Sequence, residues 1–193
     1  MDGGSGRDLA DFSQVHGHLD IDQDQHVATL TDATTGVLIN TYIVTGFEQV
    51  IGTNEGTVFA GAQYTPRSYT GGAGTDVFHS ESGGDTMTGG AGADEFRWYK
   101  TYVAVNHTDE IKDFKVGVDH LDMADFLKGQ FTADGAYIKA PGYDRVLQLV
   151  AATDPAGHAA TLVQALAGDG VWHNVVMLDG IDAGTVHVSD LVL

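Results

Sequence analysis

The chain has 193 residues, enough for one domain of ordinary size, and 42 % of them are hydrophobic, which argues against a wholly disordered chain. It carries 27 acidic against 9 basic residues, a net charge of -18, and a nucleic acid partner is disfavoured because its phosphates would be repelled. The absence of Cys excludes disulfides and thiolate metal sites, and no apolar run reaches the roughly 20 residues that span a bilayer.

The acidic residues are mostly aspartates: 22 are Asp and 5 are Glu. Asp is the short carboxylate that fits turns and hard-cation sites, and the 26 Gly against 3 Pro indicate many tight turns. A highly soluble surface would account for the charge alone. The sharper interpretation is that divalent cations neutralise part of it.

Residues 1–60 predict larger, irregular coils with several strands. A glycine turn that ends in an acid, "GGSGRD", runs from Gly3 to Asp8, and the segments "HLDIDQ", "HVATLTD" and "GVLINTYIV" alternate or run apolar as strands do. The start of the chain has neither a basic segment nor an apolar stretch, so we expect no ordinary signal peptide.

Three alternating acids in this region invite comparison with an EF-hand loop: Asp20, Asp22 and Asp24. Gln25 stands where that loop needs Gly, and Thr31 stands where it needs the bidentate Glu, so the EF-hand is rejected. We expect instead the solvent face of a strand whose other face carries Leu19 and Ile21. An extra cation at the three acids stays open.

Residues 71–79, 80–88 and 89–97 are three copies of one nine-residue pattern. Gly recurs at the fourth place, and the sixth and eighth places hold an acid and a large apolar residue, respectively: Asp76, Asp85 and Asp94, then Phe78, Met87 and Phe96. The first six residues of each copy turn the chain and the last three form a short strand. Two copies make one coil, so residues 18 apart stack about 4.8 Å apart. Asp76 and Asp94 then meet across one gap, where a calcium ion would take both carboxylates and turn carbonyls.

This nonapeptide resembles the calcium-binding repeat of the RTX (repeats-in-toxin) family, which implies an all-β, right-handed parallel β-roll with a β-rich cap. The expected calcium ligands lie in the repeats and beside them: Gly71, Ala73, Asp76, Ser80, Ser82, Asp85, Gly90, Gly92, Asp94, Asp109 and Asp8. We expect a strong site between 71–76 and 89–94. Arg67 lies near the acid position of a degenerate copy, and 98–103 contains no acid, so the opposite side is incomplete or is completed by Asp109.

The segment "DEIKDFKVGVDHLDMADFL", residues 109–127, resembles the one that closes RTX rolls. Its apolar residues would cover the open end of the roll: Ile111, Phe114, Leu121, Met123 and Phe126. Beyond 129, "AYIKA", "RVLQLVA", "ATLVQAL" and "NVVMLDG" predict antiparallel strands. The expected organisation is a roll over 1–106, with irregular coils in 1–60 and regular repeats in 71–97, followed by a cap and secretion region over 107–193.

The chain ends on an acid followed by apolar residues, Asp190-Leu191-Val192-Leu193. This resembles the uncleaved C-terminal signal of type I secretion substrates, and an ordinary last strand is the alternative. The resemblance implies the C-terminal module of a larger secreted protein, exported by an ABC transporter and folded by calcium outside the cell.

We expect no enzymatic activity, because H-E-x-x-H, G-x-S-x-G, a Cys nucleophile and a P-loop are all absent from the sequence. The regularly spaced acids are accounted for as calcium ligands. Five aromatic residues would either bind sugars or, as we favour, pack the roll: Tyr64, Tyr69, Trp98, Tyr99 and Tyr102. The favoured parent is a large adhesin acting as a monomer, with cell-surface or matrix polysaccharide as a further partner. The alternatives are a module appended to a polysaccharide-modifying enzyme or hydrolase, and a calcium-dependent lectin.

Overall fold

The computed structural model describes residues 1–61, 65–80, 83–99, 107–124, 146–166 and 170–191. Within these ranges the chain is nearly all-β, as predicted, with two sheets and a short helix near its end, α1 (Val188–Leu191). Strands are numbered in chain order. The eight-stranded sheet contains, in spatial order, β1 (Leu9–Asp11), β5 (Gln49–Ile51), β7 (Ser68–Thr70), β9 (Thr86–Thr88), β11 (Asp109–Ile111), β15 (Trp172–Asp179), β14 (Ala159–Leu166) and β13 (Leu147–Thr153). The seven-stranded sheet contains β12 (His120–Asp122), β10 (Glu95–Trp98), β8 (Val77–Ser80), β6 (Thr57–Ala60), β2 (His18–Asp22), β3 (Val27–Thr31) and β4 (Leu38–Ile43).

The chain winds between the two sheets as a parallel β-roll. From β5 to β12 successive strands alternate between the sheets, and each pairs in parallel with the strand one coil away. In the repeat region this step is 18 residues, since Phe78 pairs with Phe96 and Tyr69 with Met87. The predicted coil of two nonapeptides is therefore confirmed.

The core is a stack of side chains, one from each coil of each sheet. Phe59, Phe78 and Phe96 are fully buried, and the ring centroids of neighbours in this series lie 4.8 Å apart. That distance equals the spacing of strands in a sheet, so the rings stack because the backbone does. Tyr69 and Met87 form the matching layer of the other sheet and are 1 % exposed.

Antiparallel strands extend the sheets at opposite ends of the roll. At the start, β2, β3 and β4 form an antiparallel meander. In β2, Leu19 and Ile21 are buried while Asp20 is exposed, as predicted for a strand rather than an EF-hand. Within 1–60 only β1, β2, β5 and β6 belong to parallel coils.

At the other end, β13, β14 and β15 pair antiparallel, and β15 joins β11 in parallel. This confirms the predicted antiparallel strands over the part of the cap that the structure describes. The predicted strand "AYIKA" and Phe126 lie outside the described residues. The closing residues Ile111, Phe114, Leu121 and Met123 are all buried.

The two sheets continue past the boundary predicted at residue 106, because β11 and β12 each add a parallel strand to the roll. The closing segment is therefore a last coil as well as a cover. In the parts of the chain described here, no helix has the length and apolar character that a membrane crossing requires.

Candidate metal centre

The turns 71–76 and 89–94 stack closely on each other. The backbone N–H of Ala91 donates to the carbonyl of Gly72 at 2.9 Å, and that of Glu95 donates to the carbonyl of Asp76 at 2.9 Å. Gly90 and Gly92 have φ values of 93° and 119°, which other L-residues rarely adopt. A Cβ on Gly92 would lie 2.2 Å from the carbonyl oxygen of Gly74, so the pattern needs glycine for contact as well as for φ.

Along this side of the roll, four residues that stand at the start of successive strands of one sheet form what we call the aspartate column: Thr57, Asp76, Asp94 and Asp119. Each carboxylate accepts the backbone N–H of the column residue one coil earlier. Asp76 Oδ1 accepts from Thr57 at 2.7 Å, Asp94 Oδ1 from Asp76 at 3.0 Å, and Asp119 Oδ1 from Asp94 at 3.1 Å. The three aspartates are buried, at most 1 % exposed.

The second carboxylate oxygen distinguishes Asp94 from its neighbours. Asp76 Oδ2 accepts the N–H of Gly72 at 2.7 Å, and Asp119 Oδ2 accepts that of Lys115 at 2.8 Å. The corresponding N–H of Gly90 donates instead to Asp113 Oδ2. Asp94 Oδ2 is consequently buried with no hydrogen-bond partner among the described residues.

Burial makes these carboxylates difficult to ionise without a cation. Desolvation raises the pKa of Asp76 to about 7, with a further rise from the charge of Asp94. Desolvation likewise raises the pKa of Asp94 to about 6, with added repulsion from Asp119 and Asp113. A bound cation would favour the charged forms and remove this cost.

The opposite side of the roll has its own series, here called the opposite column: Asp8, Glu48, Arg67, Asp85 and Asp109. Asp109 stacks on Asp85 and accepts its N–H at 2.8 Å, which is the completing position that the sequence suggests. Asp109 Oδ2 also accepts hydrogen bonds from Trp98 Nε1 at 2.7 Å and from Ser80 Oγ. Desolvation raises the pKa of Asp109. Three protein donors thus engage the Asp109 carboxylate, unlike that of Asp94.

The remaining predicted ligands divide between the two columns. Gly71 and Ala73 belong to the same turn as Asp76, whereas Asp8 begins the opposite column and has a buried Oδ2 without a hydrogen-bond partner in the described residues. Ser82 lies outside the described residues. The ligand assignments stay predictions.

The sequence interpretation missed Asp113 and Asp119. Asp119 follows Asp94 by 25 residues rather than 18, because extra residues precede β11 and the last turn is longer. The signal was available in "DFKVGVD", where an acid at each end brackets a Gly-containing turn. The favoured role of the aromatic residues, packing within the roll, fits Tyr69 and Trp98, which are 1 % and 6 % exposed, whereas Tyr64 and Tyr102 lie outside the described residues.

A calcium ion fits the aspartate column. Within the described ranges no three acidic or His side chains converge as a ready metal cluster, so an ion would need backbone carbonyls as well. Stacked turns supply such carbonyls, and Asp94 Oδ2 is a buried anionic oxygen that lacks a donor. This set of hard oxygen donors suits calcium, which takes 6–8 of them in flexible geometry.

Parallel coils joined by stacked Gly-Asp turns define a β-roll of the RTX type. The sequence matches the family described as Peptidase M10 serralysin C terminal over residues 2–173. The chain therefore belongs to this family, whose fold is the RTX-type calcium-binding β-roll.

Among solved structures, the chain is similar to the AlgE6R3 subunit of the Azotobacter vinelandii mannuronan C5-epimerase, a solution structure. The two share 18 % identity with a TM-score of 0.40, over 71 % of this chain and 78 % of that one. The comparison with curated proteins gives no match.

Proposed function

We propose that this chain is a calcium-binding module of a secreted bacterial protein, and that calcium drives its folding outside the cell. The observation that carries the proposal is Asp94, whose buried Oδ2 has no protein donor in the described residues although it lies between stacked glycine turns. Family membership supports the same ion.

The carboxylates of Asp76 and Asp94 and the carbonyls of 71–76 and 89–94 would hold the ion. The calcium supplies two positive charges to a region where desolvation opposes ionisation. With a net charge of -18, the metal-free chain repels itself, so binding energy becomes folding energy. The role proposed here is binding, with no catalysis by this module.

The test compares the metal-free protein with the same protein in calcium by far-UV circular dichroism and isothermal titration calorimetry. We expect heat of binding with calcium, and a β-sheet signal that is much stronger with calcium than in the metal-free protein. Magnesium should substitute poorly because it keeps its waters and demands a tight octahedron. A metal-free spectrum identical to the calcium form, with no heat of calcium binding, would refute the proposal.

Two parents are compatible with such a module. The closing segment resembles those of large adhesins, whereas the serralysin C-terminal family supports a module appended to a secreted hydrolase. We favour the hydrolase on this match. Assaying the full-length natural protein for hydrolysis of protein substrates decides between the two, since an adhesin would show none.

We also propose that the chain end directs export through a type I transporter. Asp190 and Leu191 lie in α1, and Leu191 is 1 % exposed, whereas Val192 and Leu193 are outside the described residues. Deleting residues 190–193 should abolish secretion through the cognate transporter while calcium binding at 71–94 survives. Val186→Ala is the control for lost packing near the chain end, because Val186 is buried and lies outside residues 190–193, and it should lower the melting temperature without stopping export. Normal secretion of the truncated chain would remove this role.

A further inference from the structure

Arg67 is the one residue of the opposite column that is not an acid. Its backbone keeps the pattern of the column, because its N–H donates to Asp85 Oδ1 at 2.8 Å and its carbonyl accepts from Thr86. Only the side chain departs from the repeat. Arg67 thus puts a guanidinium where the nonapeptide pattern places a calcium-binding carboxylate.

The guanidinium of Arg67 reaches back to the preceding coil. Nη1 donates to the backbone carbonyl of Phe47 at 2.6 Å and lies 3.6 Å from Glu48 Oε1. The other oxygen of that carboxylate, Glu48 Oε2, accepts the N–H of Asp8 at 2.9 Å. The Arg67 side chain is only 14 % exposed, so its contacts are largely shielded from water.

A turn carbonyl and a carboxylate of the neighbouring coil are the two kinds of ligand that calcium takes between stacked turns. Arg67 therefore brings a permanent positive charge into contact with the two kinds of oxygen ligand that a calcium ion would bind. A guanidinium stays charged at all physiological pH values and requires no dissolved ion.

We propose that Arg67 is a built-in cation that takes the place of a calcium ion between the coil of Glu48 and the next one. This inference rests on the proposed calcium function, because it assumes that the roll binds ions elsewhere. Further along the same column, Trp98 Nε1, Ser80 Oγ and the N–H of Asp85 engage the Asp109 carboxylate. Protein groups thus contact the carboxylates of both Glu48 and Asp109 in this column, whereas Oδ2 of Asp94 in the aspartate column has no hydrogen-bond partner among the described residues.

The test uses three variants of the chain, each titrated with calcium and melted in saturating calcium. Arg67→Asp restores the acid of the repeat, Arg67→Met removes the charge while keeping most of the volume, and Arg97→Met is the matched control. Arg97 pairs with Glu95 on its own strand and lies 3.7 Å from Asp122 of β12, but its side chain is 36 % exposed, so these ion pairs are screened by water and contribute little to stability.

We expect Arg67→Asp to bind one more calcium ion than the wild type. Its folding midpoint should move to about tenfold higher calcium, since a charged contact is lost until the added ion binds. Arg67→Met should bind the same number of ions as the wild type. Its melting temperature should fall by about 4 °C or more, whereas Arg97→Met should change it by less than about 2 °C.

Equal melting temperatures for Arg67→Met and Arg97→Met would overturn the inference, and so would an Arg67→Asp variant that binds no more calcium than the wild type. Neither result would touch the proposed function as long as the wild type binds calcium. A wild-type chain that binds no calcium would instead refute the proposed function, and the melting comparison would still report whether Arg67 holds the coil.

Discussion

Asp94 Oδ1 accepts the backbone N–H of Asp76 at 3.0 Å, one coil back in the roll. The same carboxylate therefore has two tasks, because one oxygen joins neighbouring coils while the other, buried and unpaired among the described residues, is available to an ion. Structure and ion binding are coupled through a single side chain.

Replacing Asp94 by Asn should separate those tasks. The amide oxygen still accepts the N–H of Asp76, but the charge that attracts calcium is gone. We expect calcium affinity to fall by about tenfold or more in calorimetric titrations, since a charge-assisted interaction is lost. Asp20→Asn is the control, because Asp20 is exposed on β2 and its substitution removes the same charge. Equal losses in the two variants would mean that net charge, not the column, governs binding.

Calcium affinity should rise with pH between about 6 and 7. Folded pKa values of about 7 for Asp76 and about 6 for Asp94 lie above the ordinary 3.8, so calcium must displace protons below these values. Titrations at pH 5.5 and 7.5 measure the effect, and a pH-independent affinity would contradict the assignment of these two ligands.

The same pKa values predict that residual stability of the metal-free fold falls as pH rises from about 4 to about 7. In that window the folded chain binds more protons than the unfolded one, so raising the pH removes a stabilising difference. Melting or urea unfolding of metal-free protein at pH 5 and pH 7 measures it. Greater metal-free stability at pH 7 would show that other groups dominate.

Replacing the central ring of the core, Phe78, by Ala should lower the stability of the roll. Phe78 is fully buried between Phe59 and Phe96, so Phe78→Ala leaves a cavity and is expected to cost about 3–5 kcal/mol of the free energy of unfolding. Urea unfolding in saturating calcium measures the loss. Ile43→Ala is the control, because Ile43 is 60 % exposed and should lose under about 1 kcal/mol. A small effect at Phe78 would contradict the stacked core.

The 18-residue coil could be predicted from the sequence because glycine turns and inward-pointing rings recur at fixed intervals. That periodicity was enough to pair Phe78 with Phe96 and to bring Asp76 beside Asp94. It works because a parallel sheet fixes the distance between coils, so that equal spacing in sequence becomes equal position in space.

Other parts of the structure could not be predicted in this way, because their contacts do not recur at a fixed spacing in the sequence. Asp119 joins the aspartate column after an irregular interval, and Asp113 takes the N–H of Gly90 that a strict repeat would give to Asp94. The antiparallel strands β3 and β4 likewise extend the sheet, although no sequence repeat predicts their pairing. Only the folded backbone shows which turn a displaced acid meets.

The hydrogen bonds of the aspartate column all point the same way along the roll. Every carboxylate serves the amide of the coil before it, so the column has a polarity: a coil depends on its successor for completion, not on its predecessor. Removing the first coil would leave a carboxylate oxygen that water can solvate, whereas removing the last would strand a buried amide. Loss of the last coil should therefore destabilise the roll more than loss of the first, because among the described residues only Asp119 in the closing turn accepts the N–H of Asp94.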